Sequence, residues 1–218
     1  MKRKLVALMA LLASLALAQI PDPDDLSDSD SHRVTVRIPS ILSLELDATD
    51  YLFDFTDTNP TGSETVTVNS TTYTKASWRA YYNFVETATG PQTFAPTSVA
   101  GTGGVDYGTI TVRTNRAQWT VNLSIDSSSS LSFDGANNHN NRVKVFAERV
   151  GSSKGASWTG TPTPITDSSP LTLFNAGSGG QGKSEYKLYY LLEMDISDDI
   201  PLSGISQYIT INLLLTSP

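Results

Sequence analysis

The stretch "YGTITVRTNRAQWTVNLSID", residues 107–126, contains two segments in which apolar and polar residues alternate. Ile110 and Val112 fall on one face of the first segment, and Trp119 and Val121 fall on one face of the second. Alternation with a period of two is typical of β-strands that bury one face. The stretch therefore predicts two strands joined by a short polar corner, with Trp119 in the core.

The same alternation recurs along the chain, and no amphipathic helix of three turns is expected after the amino-terminal segment. The further predicted strands are residues 34–38, 41–46, 51–55, 64–69, 73–85, 142–150, 185–196 and 208–215. Strands at this density, separated by Gly, Ser, Asn and Pro, predict an all-β chain folded as an antiparallel β-sandwich of immunoglobulin-like or jelly-roll type. Residues 87–106 and 151–183 are rich in Gly, Ser, Thr and Pro and are predicted as long loops, which often carry function.

The amino-terminal residues predict export. A basic "MKRK" precedes the apolar run "LVALMALLASLALA", which is too short for a good membrane span and ends in small residues suited to cleavage before Gln19. Residues 1–18 are thus expected to be a signal peptide. Residues 19–32, "QIPDPDDLSDSDSH", are expected to be a flexible acidic leader, and residues 33–218 a single β-sandwich domain.

The charge and composition of the chain argue against several classes of partner and of structural element. The formal charge of −7 becomes −10 when the three basic residues of the signal peptide are removed. An acidic chain repels phosphates, so nucleic acid is not an expected partner. The chain has no Cys and hence no disulfide, and no later segment has the roughly 18 apolar residues of a spanning helix. The expected location is secreted, extracellular or within the cell envelope.

The sequence offers no recognisable catalytic motif. It has no Gly-x-Ser-x-Gly elbow, and the "GSGGQG" of residues 177–182 lacks the strand-then-helix context of a phosphate-binding loop. A glycosidase needs two carboxyl groups at a set separation, and the sequence does not pair any of Glu86, Glu148, Glu185 and Glu193. We therefore expect a protein without enzymatic activity.

One group of carboxylates is a candidate calcium site. The residues are Asp47, Asp50, Asp54 and Asp57, around a predicted turn. Carboxylate oxygens suit Ca²⁺, but Asp also bonds its own backbone two residues on and so stabilises turns without metal. Calcium is the one candidate ion, and no other cofactor is expected.

Three aromatic residues are candidate ligand-binding residues. Tyr81 and Tyr82 are adjacent, as are Tyr189 and Tyr190, and neighbours on a strand face opposite sides. One tyrosine of each pair is therefore expected off the core, where it either shields the sheet or stacks on a sugar or partner. Tyr82, Tyr189 and the loop residue Trp158 are the candidates.

Three segments carry a family resemblance: "IPSILSLELDATDYLFDF" (residues 38–55), "ITVRTNRAQWTVNLSID" (110–126) and "QYITINLLLTSP" (207–218). Together they resemble secreted bacterial β-sandwich surface proteins, including pilin-like and coat-like domains. The resemblance implies an extracellular structural or adhesive role and no catalytic residues. The chain departs from donor-strand pilins in its acidic residues 19–32, which could not fill an apolar sheet groove.

The leading functional prediction is a non-catalytic, secreted or cell-surface structural or adhesive protein. Its expected partners are other surface proteins, further copies of itself, or glycans. One alternative is a carbohydrate-binding module that uses exposed Tyr and Trp side chains. Another is an outer-membrane β-barrel, because alternation and crowded aromatic residues also suit lipid-facing strands.

Overall fold

The computed structural model describes residues 33, 35–126, 142–166 and 170–218. Residues 39–218 form one compact unit. The described residues that precede this unit are exposed and lack regular secondary structure. The predicted signal peptide and acidic leader lie outside the described residues.

The chain folds mainly into antiparallel strands, as the sequence predicts. The strands are β1 Leu42–Leu46, β2 Asp50–Leu52, β3 Thr65–Val68, β4 Thr71–Thr74, β5 Gln92–Phe94, β6 Ser98–Ala100, β7 Gly108–Thr114, β8 Trp119–Ile125, β9 Val143–Arg149, β10 Thr163–Pro164, β11 Leu171–Ala176, β12 Gly182–Met194 and β13 Ile211–Thr216. Among the described residues there is one helix, α1, which spans Trp78–Thr87. In the part of the chain that the structure describes, no helix is long and apolar enough to cross a membrane.

The strands form two larger sheets and two small ones. The six-stranded sheet has the order β1-β7-β12-β9-β10, with β5 also paired to β12. The three-stranded sheet has the order β11-β8-β13. Two-stranded sheets pair β2 with β6 and β3 with β4. All of these strand pairs are antiparallel, and β12 lies at the centre of the larger sheet.

The two strands predicted within residues 107–126 are confirmed as β7 and β8, which belong to different sheets, and Trp119 lies in the core as alternation predicts. Trp119 is 1% exposed, and Val121 beside it on the same face of β8 is fully buried. The indole ring packs edge-on against Phe174 and Tyr186, with centroid distances of 6.2 and 6.5 Å. Its Nε1 donates a hydrogen bond of 2.9 Å to the carbonyl of Gly180. One ring thus joins the two larger sheets.

Both faces of β12 are covered, which differs from the expectation for Tyr189. Tyr190 packs in the main core, whereas Tyr189 and Leu191 pack in a second apolar cluster with Val66 and Phe146. Tyr189 and Tyr190 are each 6% exposed. The prediction that one of these tyrosines lies off the core is wrong, because β3 covers the face of β12 that alternation alone leaves open.

The predicted strand over residues 73–85 is wrong in its second half, where α1 begins. Ser77 caps the helix, since its hydroxyl accepts a hydrogen bond of 3.2 Å from the backbone amide of Ala80. Ala80 and Phe84 form the buried side of α1, and Phe84 packs edge-on against Phe94 at 5.8 Å. Aromatic residues favour strands intrinsically, but burial of this helical face outweighs that weak preference.

The two predicted long loops contain short strands. Residues 87–106 include β5 and β6, and residues 151–183 include β10 and β11. Conversely, the predicted strand over residues 51–55 ends at Leu52, and the described residues of the predicted strand 34–38 form no strand. Short pairings of this kind depend on partners distant in sequence, so local composition does not reveal them.

Replacement of Trp119 should destabilise the fold strongly. Trp119→Ala removes a buried ring and leaves a cavity between the sheets, so we expect a loss of about 3–5 kcal/mol in the free energy of unfolding. The half-buried Thr120 provides the control, and Thr120→Ala should change that free energy by about 0.5 kcal/mol or less. Urea denaturation measures both. Equal midpoints for the two variants would contradict a structural role for the indole.

The buried tyrosines should make the fold sensitive to alkali. Burial raises the pKa of Tyr186 to about 12, and burial raises the pKa of Tyr190 well above its ordinary value. The native state therefore keeps protons that the unfolded chain releases above about pH 10. The stability contributed by these neutral tyrosines is complete below that pH and is lost as the pH rises towards 12.

Urea midpoints measured across the alkaline range test this prediction. Tyr190→Phe should weaken the alkaline loss because it removes one buried ionisable group. Tyr208→Phe is the matched control, since Tyr208 is 69% exposed. A midpoint that stays constant from about pH 9 to about pH 12 would show that tyrosine ionisation is not linked to folding.

Candidate functional site

An open groove beside Trp158 is the first candidate site. It lies between the loop of residues 151–162 and strand β11, and its volume is about 330 Å³. Its apolar surface includes the Trp158, Leu171 and Phe174 side chains. Its polar residues are Thr159, Thr163, Thr172 and Asn175.

The Trp158 ring is half-buried and is held from one side by the core. It packs edge-on against Phe146, with a centroid distance of 6.1 Å and an interplanar angle of 61°. Phe146 in turn contacts Tyr189 at 6.4 Å. The ring therefore has a fixed position although it belongs to a loop.

Hydrogen bonds fasten the loop that carries Trp158. The amide of Ala156 donates to the carbonyl of Asn175 at 2.8 Å. The amide of Lys154 donates to the hydroxyl of Ser184 at 2.9 Å, and the hydroxyl of Tyr186 donates to the carbonyl of Lys154. A groove built on such contacts is preorganised, which lowers the entropic cost of binding.

Gly155 is required where the loop approaches the sheet. Its φ is +85°, and a Cβ at this position would lie 2.6 Å from both the carbonyl oxygen of Asn175 and the hydroxyl of Tyr186. A side chain would therefore meet backbone on one side and a buried ring hydroxyl on the other. The glycine permits the close approach that holds Trp158 in place.

The lining of the Trp158 groove suits a neutral ligand that carries hydroxyl groups. None of the described residues that line it has an ionisable side chain. Threonine hydroxyls both donate and accept hydrogen bonds, and the amide of asparagine does the same. An indole offers a flat apolar face beside them. This combination fits sugars better than it fits an anion or a cation.

A second open groove, of about 340 Å³, lies where Tyr189 and Tyr107 meet. The two rings are 5.3 Å apart, and the ammonium of Lys187 lies 5.1 Å from the centroid of Tyr107. The Tyr189 hydroxyl donates to Glu148 at 3.4 Å. Burial, followed by the charge of Glu148, raises the pKa of Tyr189. Tyr189 lines this groove but is largely buried, so little of its surface can contact a ligand.

Tyr82 lies on a third surface, the exposed side of α1. It is 42% exposed and stacks on Trp78 at 5.3 Å with an interplanar angle of 23°. The guanidinium of Arg79 lies 5.3 Å from the Trp78 ring centroid. A hydrogen bond to Glu86 raises the pKa of Tyr82. These contacts occupy much of the aromatic surface that the residue could offer a ligand.

The structure thus links two of the three candidate ligand-binding residues. Trp158 and Tyr189 are joined through the ring of Phe146, whereas Tyr82 packs with Trp78 on α1. Sequence reasoning missed Phe146 as the support of Trp158, and it missed Thr163 and Thr172 as groove residues. Their positions follow from the pairing of β10 with β9 and of β11 with β8, which the local sequence does not display.

Three of the four aspartates of the candidate calcium site accept hydrogen bonds from backbone amides. Asp54 accepts bonds from the amide and hydroxyl of Thr56 at 2.8 and 2.6 Å, and these bonds lower its pKa. Asp57 accepts a bond of 2.9 Å from the amide of Asn59. Asp47 accepts a bond from the amide of Thr109, and Asp50 pairs with Ala100 in strand β2. No three His, Cys, Asp or Glu residues among those described are grouped to hold a metal.

The four glutamates considered for catalysis have separate partners. Glu193 pairs with Lys144 at 2.5 Å, Glu185 with Lys183 at 2.6 Å, and Glu148 with Lys187 at 3.5 Å. Glu86 shares a hydrogen bond with Tyr82.

No protein-family model, curated protein or solved structure matches this chain. The functional argument consequently rests on the geometry of the grooves and on the strand arrangement.

Replacement of Gly155 should disturb the loop that holds Trp158. Gly155→Ala introduces both a positive-φ penalty and contacts of 2.6 Å, and we expect a loss of about 1–3 kcal/mol in stability. Gly151→Ala is the matched control, because Gly151 has φ +53° but open space around it. Urea denaturation and tryptophan emission report on the fold and on Trp158. Equal effects of the two variants would show that the close approach at Gly155 is unimportant.

Proposed function

We propose that this chain is an exported, non-catalytic protein of the cell surface or envelope, with a structural or adhesive role. We further propose that the Trp158 groove binds carbohydrate. The observation that carries the second proposal is the indole of Trp158 beside threonine and asparagine groups, in a groove whose described lining residues carry no ionisable side chain. The amino-terminal sequence supports export.

We propose a β-sandwich as the architecture that presents this groove. Trp119 and Phe174 of the three-stranded sheet pack against Tyr186 of the six-stranded sheet. This packing supports two sheets placed face to face with apolar side chains between them. In such an arrangement the Trp158 loop would close one lateral side of the core, where Ile165 is 1% exposed.

A non-catalytic role agrees with the state of the described carboxylates. A retaining or inverting glycosidase keeps two carboxyl groups facing each other across the sugar. Glu148, Glu185 and Glu193 are instead each paired with a lysine. The Trp158 groove offers an indole face and hydroxyl and amide groups suited to a sugar, and its described lining residues include no acid or base that could cleave one.

Carbohydrate binding should depend on Trp158 and not on tryptophan content in general. Trp158→Ala removes the apolar face of the groove, and we expect glycan affinity to fall by about 1–3 kcal/mol, or roughly 5–150-fold. Trp78→Ala is the matched control, since Trp78 is 43% exposed on α1. A glycan array identifies the ligand, and titration calorimetry with that glycan measures both variants.

Two outcomes would contradict the proposal. Silence of the wild-type protein on the array, or equal losses for the two variants, would exclude the Trp158 groove as the sugar site. Recovery of a cleaved glycan after incubation would contradict the non-catalytic assignment.

A further inference from the structure

Apart from the short strand β5, which pairs with the end of β12, the described part of the two larger sheets has four edge strands, and three of them carry features that discourage pairing with another chain. Edge strand β10 has two residues and contains Pro164. Edge strand β11 has a register irregularity between Thr172 and Phe174. Edge strand β1 carries Glu45, which pairs with Arg113 at 2.8 Å. Short length, proline, bulges and charge are the usual means by which proteins protect sheet edges.

Strand β13 has none of these protective features. Its sequence, "INLLLT", contains no charge and no proline, and its register with β8 is continuous. Among the described strands, β8 is its only partner. An uncharged, regular edge strand is a ready template for another strand.

The backbone groups on the free side of β13 can be identified. The amide of Asp126 donates to the carbonyl of Thr210 at 2.8 Å, and the register of β8 with β13 places these two residues opposite each other. Hydrogen-bonded and non-hydrogen-bonded pairs alternate along an antiparallel ladder. The N–H and C=O groups of Ile211, Leu213 and Leu215 therefore point away from β8.

The apolar row of β13 is also incompletely covered. Ile211, Leu213 and Leu215 are half-buried, although Val121 and Leu123 on the neighbouring strand are at most 1% exposed. Near β10, at the other edge of the same core, the apolar residue Ile165 is by contrast only 1% exposed. The apolar core thus reaches the surface along β13.

We propose that β13 pairs with β13 of a second copy of this chain, in antiparallel orientation about a two-fold axis. The strand favours a second copy because Ile211 and Leu215 lie symmetrically on either side of Leu213, so that an antiparallel copy presents a matching apolar row, and because the strand itself carries no charge that would repel its counterpart. Pairing would satisfy the outward backbone groups and join the two half-buried rows. The dimer goes beyond the proposed carbohydrate site and does not depend on it.

The pleat of the sheet determines the register of this dimer. Residues that oppose each other across an antiparallel pair point to the same face of the sheet. The two-fold axis must therefore place one residue opposite its own copy, because the alternative places each residue opposite one from the other face. With the axis at Leu213, Ile211 opposes Leu215 of the second copy and both apolar rows face one way. Leu213 forms the hydrogen-bonded pair, and Asn212 opposes Leu214 in a non-hydrogen-bonded pair with a Cα separation of about 4.5 Å.

Cysteine cross-linking tests this register, and the chain has no native Cys to interfere. Asn212 and Leu214 are exposed, so Asn212→Cys and Leu214→Cys should fold normally. A Cα separation of about 4.5 Å lies in the range that disulfides require. We expect a mixture of the two variants to form more oxidised dimer than either variant alone. Ser43→Cys, at an exposed position on β1, is the control and should form little oxidised dimer.

Light scattering coupled to size exclusion measures association without cross-linking. The wild-type chain should be dimeric at about 100 μM and dissociate on dilution, as expected for an affinity near 1–10 μM. The double variant Asn212→Lys/Leu214→Lys places like charges opposite each other and should weaken the dimer by about tenfold or more. Ser43→Lys/Thr71→Lys adds the same charge at exposed positions on β1 and β4 and should leave the dimer intact.

Several results would overturn the proposal. A wild-type chain that is monomeric at about 100 μM would exclude the dimer. Dimers that survive the β13 lysines, or that cross-link best through Ser43→Cys, would place the contact at another surface. A mixture of cysteine variants that cross-links no better than the single variants would exclude the register centred on Leu213.

Discussion

The burial of β12 on both faces is the constraint on which the rest of the structure depends. This strand runs through the centre of the six-stranded sheet, and its successive residues Tyr189, Tyr190 and Leu191 are all buried. A strand with apolar residues on both faces needs a cover on each. The three-stranded sheet supplies one cover through Trp119, and the β3–β4 hairpin supplies the other through Val66 and Val68.

The sequence predicts the strands that bury only one face, because one-sided burial produces a local alternation of apolar and polar residues. Residues 107–126 alternate cleanly because one face is buried, and β7 and β8 lie where that alternation places them. The same reasoning failed at Tyr189, where a cover distant in sequence makes the second face apolar as well. It failed again at α1, although Ser77 and the spacing of Ala80 and Phe84 follow a helical period that could have been recognised.

The candidate site could be predicted only in part, for a related reason. Trp158 attracts notice as an aromatic residue in a segment rich in Gly, Ser and Thr, and the structure does place it beside a groove. Its polar neighbours Thr163 and Thr172 come from strands whose pairing is not visible locally. The requirement for Gly155 arises from its distance to Asn175, and a sequence of many glycines does not show which one is sterically required.

The core and the Trp158 groove share side chains, so the site depends on the packing beneath it. Phe174 lines the groove and stacks on Tyr186 with a centroid distance of 3.7 Å and an interplanar angle of 5°. Tyr186 contacts Trp119 in the core, and its hydroxyl holds the loop at Lys154. Trp119 also contacts Phe174 directly, so a change in the Trp119 packing reaches the lining of the groove. Because the groove is built on packed core side chains, the position of the Trp158 indole is better defined than that of an aromatic side chain on an unsupported loop.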